Sequence, residues 1–149
     1  MIVHAHRGPR RRGATAVETA LILIPLTMFI FGVFEYGKLL MSWNLLNNAA
    51  REGCRYALAN NTSSTVSADV QNLVTAYMGG QDASFSNFTV TVSGTHNGVS
   101  TPVNNLIAGD LITVTVTGNY KFMKVIPLVS MPATTSLSSS VTMVCEGAT

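Results

Sequence analysis

Charge is scarce in this sequence. Asp, Glu, Lys and Arg together make up 11% of its 149 residues, where a soluble domain carries about a quarter. That deficit argues against a freely soluble globule and for membrane contact or an assembly. Cysteine is scarcer still: two residues exclude a Cys₄ zinc site and a disulfide-dense scaffold. Of the three histidines, His4 and His6 sit in the basic N-terminal stretch, leaving His96 alone in the rest. No glycine-rich phosphate loop follows a strand pattern, no G-x-S-x-G occurs, and no motif places two carboxylates as acid and base. The sequence is therefore read as non-enzymatic, with no catalytic residue, no metal and no cofactor.

What is present is unevenly distributed. Nine Lys/Arg face seven Asp/Glu, yet Arg7, Arg10, Arg11 and Arg12 all lie in the first twelve residues. Without residues 1–13, five basic groups face seven acidic ones. The basic footprint sits in a tail rather than on a fold, so nucleic acid is not an expected partner. At this length one core is expected, not two lobes.

Thr19 to Phe34 is a run of sixteen residues without a charge. With Ala14 to Val17 it reaches about twenty residues, enough to cross a hydrocarbon core of ~30 Å. The arginines precede it, so the N-terminus is expected in the cytoplasm and the remainder outside. A cleaved secretory signal would need a small-residue cleavage site after the run, but Gly32 to Gly37 supplies no A-x-A pattern. A plain membrane anchor explains the length and the arginines but not Glu18, whose carboxylate is costly inside an apolar segment. A third reading takes the junction whole. Arg10-Arg11-Arg12-Gly13 precedes Ala14-Thr15-Ala16-Val17-Glu18 and then the apolar run, which resembles the processing site of type IV prepilins. That resemblance implies cleavage between Gly13 and Ala14 by prepilin peptidase. Glu18 would then pair with the freed amino group of a neighbouring subunit, setting axial register more than adhesion.

The resemblance extends further along the chain. Gly13 to Pro25 continues to Glu35-Tyr36-Gly37 and then to Asn48-Ala-Ala-Arg51-Glu-Gly-Cys-Arg55-Tyr56-Ala57. This stretch resembles the TadE-like family of pseudopilins of the tight-adherence, or Flp-type, pilus. The resemblance implies a minor pseudopilin in the cytoplasmic membrane, single-pass, working with other pilin subunits and the pilus assembly machinery. The alternative is a membrane-anchored extracytoplasmic binding module that never enters a filament. A soluble secreted enzyme, released by signal peptidase, is a third.

Read from the residues alone, 14–58 is one long helix. Pro25 is expected to kink it, and Glu35 and Lys38 are spaced to pair. Beyond Lys38 an apolar stripe runs through Leu39, Leu46, Ala50, Gly53 and Ala57. Arg51 and Arg55 read as a solvated face pairing with Glu52, or as an intersubunit contact. Trp43 is either an interfacial anchor or the largest core residue of the outer domain.

Residues 59–149 read as an extracytoplasmic α+β domain. Ser67 could cap a second helix with Val70, Leu73, Val74 and Tyr77 on one face, ended by Gly79-Gly80. Strands are expected at Phe88–Val92, Leu111–Thr117 and Leu137–Cys145, the last with Ser139 as a gap in its apolar face. Gly94 to Gly98 reads as a turn. The expected fold is α+β, a long N-terminal helix packed on a small antiparallel sheet, which the pseudopilin resemblance also implies. The stretch Tyr120 to Pro132 is a buried crossover or an apolar lip resting on lipid or a neighbouring subunit. Cys54 and Cys145 either form a disulfide, stapling helix to sheet, or remain buried thiols.

Overall fold

The computed structural model describes residues 12–123 and 133–146. The leader up to Arg11, and the segment 124–132 that holds most of the expected lip, lie outside the described residues.

The first element, α1, runs from Arg12 to Ala59, 48 residues without interruption, and carries Pro25 inside it. At 1.5 Å per residue it is roughly 72 Å long. Its two halves have different surroundings because they have different patterns. The first half, up to Phe34, is apolar on nearly every side and stays exposed among the described residues. The second is amphipathic, and its stripe is covered: Leu46, Ala49, Ala50, Cys54 and Ala57 are fully buried, with Leu39 packed at the margin. The small residues on this stripe let the helix approach its neighbours closely. A Cβ on Gly53 would lie 2.8 Å from Val74 Cγ2 and 3.2 Å from Val70 Cγ1.

Those valines belong to α2, Val66–Tyr77, which buries Val66, Val70 and Val74. The helix starts two residues earlier than Ser67 would allow. Thr65 is its N-cap, and the Thr65 hydroxyl donates to the Asp69 carboxylate at 2.8 Å rather than accepting from the backbone. Tyr77 is turned outward, and Met78 takes the buried place at the helix end. Gly79 and Gly80 then leave the helix with positive φ.

The sheet has four antiparallel strands in the order β2-β1-β3-β4. Here β1 is Phe85–His96, β2 Val99–Thr101, β3 Leu111–Lys121 and β4 Thr134–Val144. Each expected strand is present and longer than its alternating core. Gly94 to His96 is strand, not turn, and it pairs with β2, three residues that alternation could not reveal. The turn itself is Asn97-Gly98, both at positive φ, as a two-residue hairpin loop requires. Ser139 lies on the inward face as the one polar interruption among Leu137, Val141 and Met143, and it is buried at 5% exposure. Ile112, Val114 and Val116 of β3 are fully buried and form the middle of the core. The opposite face is hydroxyl-rich; Thr113 bonds Thr142 at 2.8 Å and Thr115 bonds Ser140 at 3.0 Å. The fold is thus a long helix on a small antiparallel sheet.

Both cysteines are buried free thiols, so the structure contains no Cys54–Cys145 bridge. Cys54 Sγ donates to the Ile112 carbonyl at 3.5 Å. Burial pushes both thiols up from their ordinary value.

Candidate assembly site

Among the described residues, the most exposed apolar surface is the first half of α1. Val17, Leu21, Phe29 and Phe34 are 70%, 72%, 71% and 68% exposed. Side chains of this kind, all round a helix and uncovered among the described residues, need a covering other than water. The helix is long and apolar enough to cross a membrane. Gly13, Ala14 and Glu18 lie in its opening turns, all exposed. Glu18 has no hydrogen-bond or ion-pair partner among the described residues. Nearby, Thr19 and Thr27 return their hydroxyls to backbone carbonyls of the preceding turn at 2.8 and 2.9 Å, which hides polar groups that lipid would not solvate.

The direction of α1 relative to the sheet follows from two contacts. Glu35 meets the end of β3, where the Tyr120 hydroxyl donates to its carboxylate at 3.2 Å and the Met123 N–H at 3.0 Å. Cys54 meets the start of β3, at Ile112. Nineteen helical residues and eight strand residues both span about 26–28 Å. The helix therefore runs alongside β3 and antiparallel to it, and its exposed half projects from the Tyr120 end of the sheet.

That end is aromatic. Phe88, Phe85, Tyr120 and Phe122 stack in that order with centroids 5.4 to 6.2 Å apart, mostly edge to face. Burial, followed by the charge and hydrogen bond of Glu35, pushes the Tyr120 phenol up from its ordinary value. Glu35 thus joins helix to sheet, and the expected Glu35–Lys38 pair is not formed. A separation of 85 residues between donor and acceptor left no local signal for this bond. Arg51 and Arg55 are exposed and solvated, but neither pairs with Glu52. Trp43 is 48% exposed, so it is not the largest core residue of the outer domain.

At the other end of the sheet, Asp110 is 6% exposed. Its Oδ1 lies 2.6 Å from His96 Nδ1, and its Oδ2 accepts the Ile107 N–H at 2.8 Å. The Ile107 amide first, then His96, hold the carboxyl below its ordinary range against the opposing effect of burial. This pair locks the loop before β3 to the tip of β1. Sequence reading singled out neither partner for it.

Residues 13–55 match the family model described as TadE-like protein. The matched segment is the one whose junction, proline and Asn-Ala-Ala-Arg block carried the resemblance, and it ends before the sheet begins. No curated protein and no solved structure matches.

Proposed function

We propose that this chain is a minor pseudopilin taking part in assembly of a tight-adherence pilus or a related secretion system. The supporting observation is the coincidence of the TadE-like match with the exposed half of α1. The family segment includes the half-helix that is uncovered among the described residues. In this reading Ala14 to Phe34 lies in the cytoplasmic membrane with the N-terminus inside, and the α+β domain of residues 59–149 stands outside.

Prepilin peptidase hydrolyses the Gly13–Ala14 bond. Water adds across it, leaving a carboxylate on Gly13 and an amine on Ala14. The Glu18 carboxylate, exposed and without a partner among the described residues, meets that amine on a neighbouring subunit. Glu18 lies near the N-terminal end of the span, where an uncovered carboxylate costs less than the roughly 2.5–3.5 kcal/mol of mid-depth, and a partner amine removes that cost in an assembly. The bundle around it forms by helix packing, where Gly32 and Gly37 have open space beside them and permit close approach. Partners are other pilin subunits and the pilus assembly machinery.

The test is Glu18→Ala in cells that carry the complete machinery. The variant is expected to stay in the membrane and lose co-purification with pilin subunits. Co-purification at the wild-type level would remove Glu18 from the mechanism. It would favour the anchored binding module, which needs no filament contact.

A further inference from the structure

The two edges of the sheet are treated differently. At the β1 edge, β2 pairs with the last three residues of β1. A register irregularity between Ser86 and Thr89, with Asn87 at positive φ, bends the beginning. The Gln71 side-chain amide donates to the Val90 carbonyl in between, at 3.2 Å. These are the devices by which proteins keep a sheet edge from recruiting another strand.

Among the described residues the β4 edge has none of them. Its eleven residues pair with β3 in unbroken register from Leu111↔Val144 to Lys121↔Thr134. It contains no charge, no proline and no glycine. Just beyond its ends, the Cys145 N–H donates to the Asp110 carbonyl at 2.7 Å and the Phe122 N–H to the Ala133 carbonyl at 3.3 Å. Hydrogen-bonded pairs alternate in an antiparallel ladder. Odd-numbered β4 residues therefore face β3, and Ser136, Ser138, Ser140 and Thr142 turn their N–H and C=O groups toward the open edge. Among the described residues nothing bonds to them. The core is also incomplete there: Leu137, Val141 and Met143 point inward but stay only partly buried. An added strand would satisfy the backbone groups and cover these three side chains.

We infer that β4 is the docking edge for an extended, uncharged segment of a different subunit of the assembly this chain joins. A second copy fits poorly. Antiparallel pairing of two β4 strands, faces matched, turns one protomer by 180° about the sheet normal. Because α1 runs along the strands, the two exposed helix halves would then point in opposite directions and could not share one membrane. Head-to-tail pairing of β4 with the β1 edge of another copy meets β2, Gln71 and the bulge. The identity of the donor as an assembly subunit rests on the pilus reading; the competence of the edge does not.

Two measurements separate these. Purified full-length chain in detergent is given a synthetic peptide of the β4 sequence, Thr134 to Val144, as the strand probe. Amide exchange at Ser136, Ser138, Ser140 and Thr142 is expected to slow by at least about tenfold. Ser138→Pro removes one outward N–H and leaves the β3 ladder intact; Ser138→Lys keeps the N–H and adds a charge to the edge. Both are expected to abolish the slowing, with the thermal midpoint reporting that the domain is folded. Unchanged exchange with the peptide overturns the inference and leaves the pilus reading standing. The same four amides are then followed in membranes with and without the coexpressed assembly proteins. Protection only in their presence is the expected result. Protection of the chain alone means that its own segment or a second copy covers the edge, and overturns the inference. Absence of protection in both membranes overturns the assignment of the donor to the assembly.

Discussion

Two residues show how contact geometry overrides preference. Gly53 is an interior helix residue, where alanine gains about 1 kcal/mol of propensity. The new methyl would meet the branched Val74 and Val70 at 2.8 and 3.2 Å, and overpacking of this kind costs about 1–3 kcal/mol. Gly53→Ala is therefore expected to lower the thermal midpoint of the outer domain, whereas Gly37→Ala, with open space beside it, is not. Asp110 makes the second case. Its folded pKa lies below the ordinary 3.8, so its contribution to stability is present above about pH 4 and is lost as pH falls through the folded value. Thermal unfolding between about pH 5 and pH 3 is expected to be steeper in pH for the wild type than for Asp110→Asn. The place of Gly53 in the buried stripe was legible from spacing alone. The role of Asp110 was not, since its partners are a histidine fourteen residues away and a backbone amide.

Elements were legible where periodicity was long. The long helix, the second helix and three strands each show several turns or alternations of pattern. The three-residue β2 does not, and it exists because Asn97-Gly98 folds the end of β1 back on itself. The joint between α1 and β3 was equally silent, because Glu35 satisfied the i, i+3 rule with Lys38 and formed a tertiary bond instead. That joint can be titrated. The Tyr120 phenol is held above its ordinary 10.0 by burial first and by Glu35 second. The stability linked to the neutral phenol is complete below that value and falls as pH rises through the folded one. In a spectrophotometric titration, Tyr120→Phe identifies the late-ionising group. Glu35→Gln is expected to lower its midpoint without returning it to the ordinary value, because the burial remains. Along α1 itself, Leu46→Ala deletes a fully buried side chain and is expected to cost about 2–5 kcal/mol in denaturant unfolding.

At the scale of the whole molecule the chain is divided by solvent. One half of a single helix is built for the core of a small domain, and the other half stays exposed among the described residues. The division was readable because it rests on composition, with a charge-free run before Glu35 and an amphipathic stripe after Lys38. The alignment of helix with strands was not readable, and it fixes from which end of the sheet the exposed helix half projects. It brings the aromatic end, at Tyr120 and Phe122, to the side from which the exposed helix leaves. It also puts the Asp110–His96 lock at the far tip. The central claim is that this exposed half is a prepilin-type anchor with a free amine at its start. Intact mass and terminal sequencing of the membrane-extracted protein test it most directly. An N-terminus at Ala14 is the predicted result. An N-terminus still at Met1 or Ile2 would contradict the account, because Glu18 would have no subunit amine to meet.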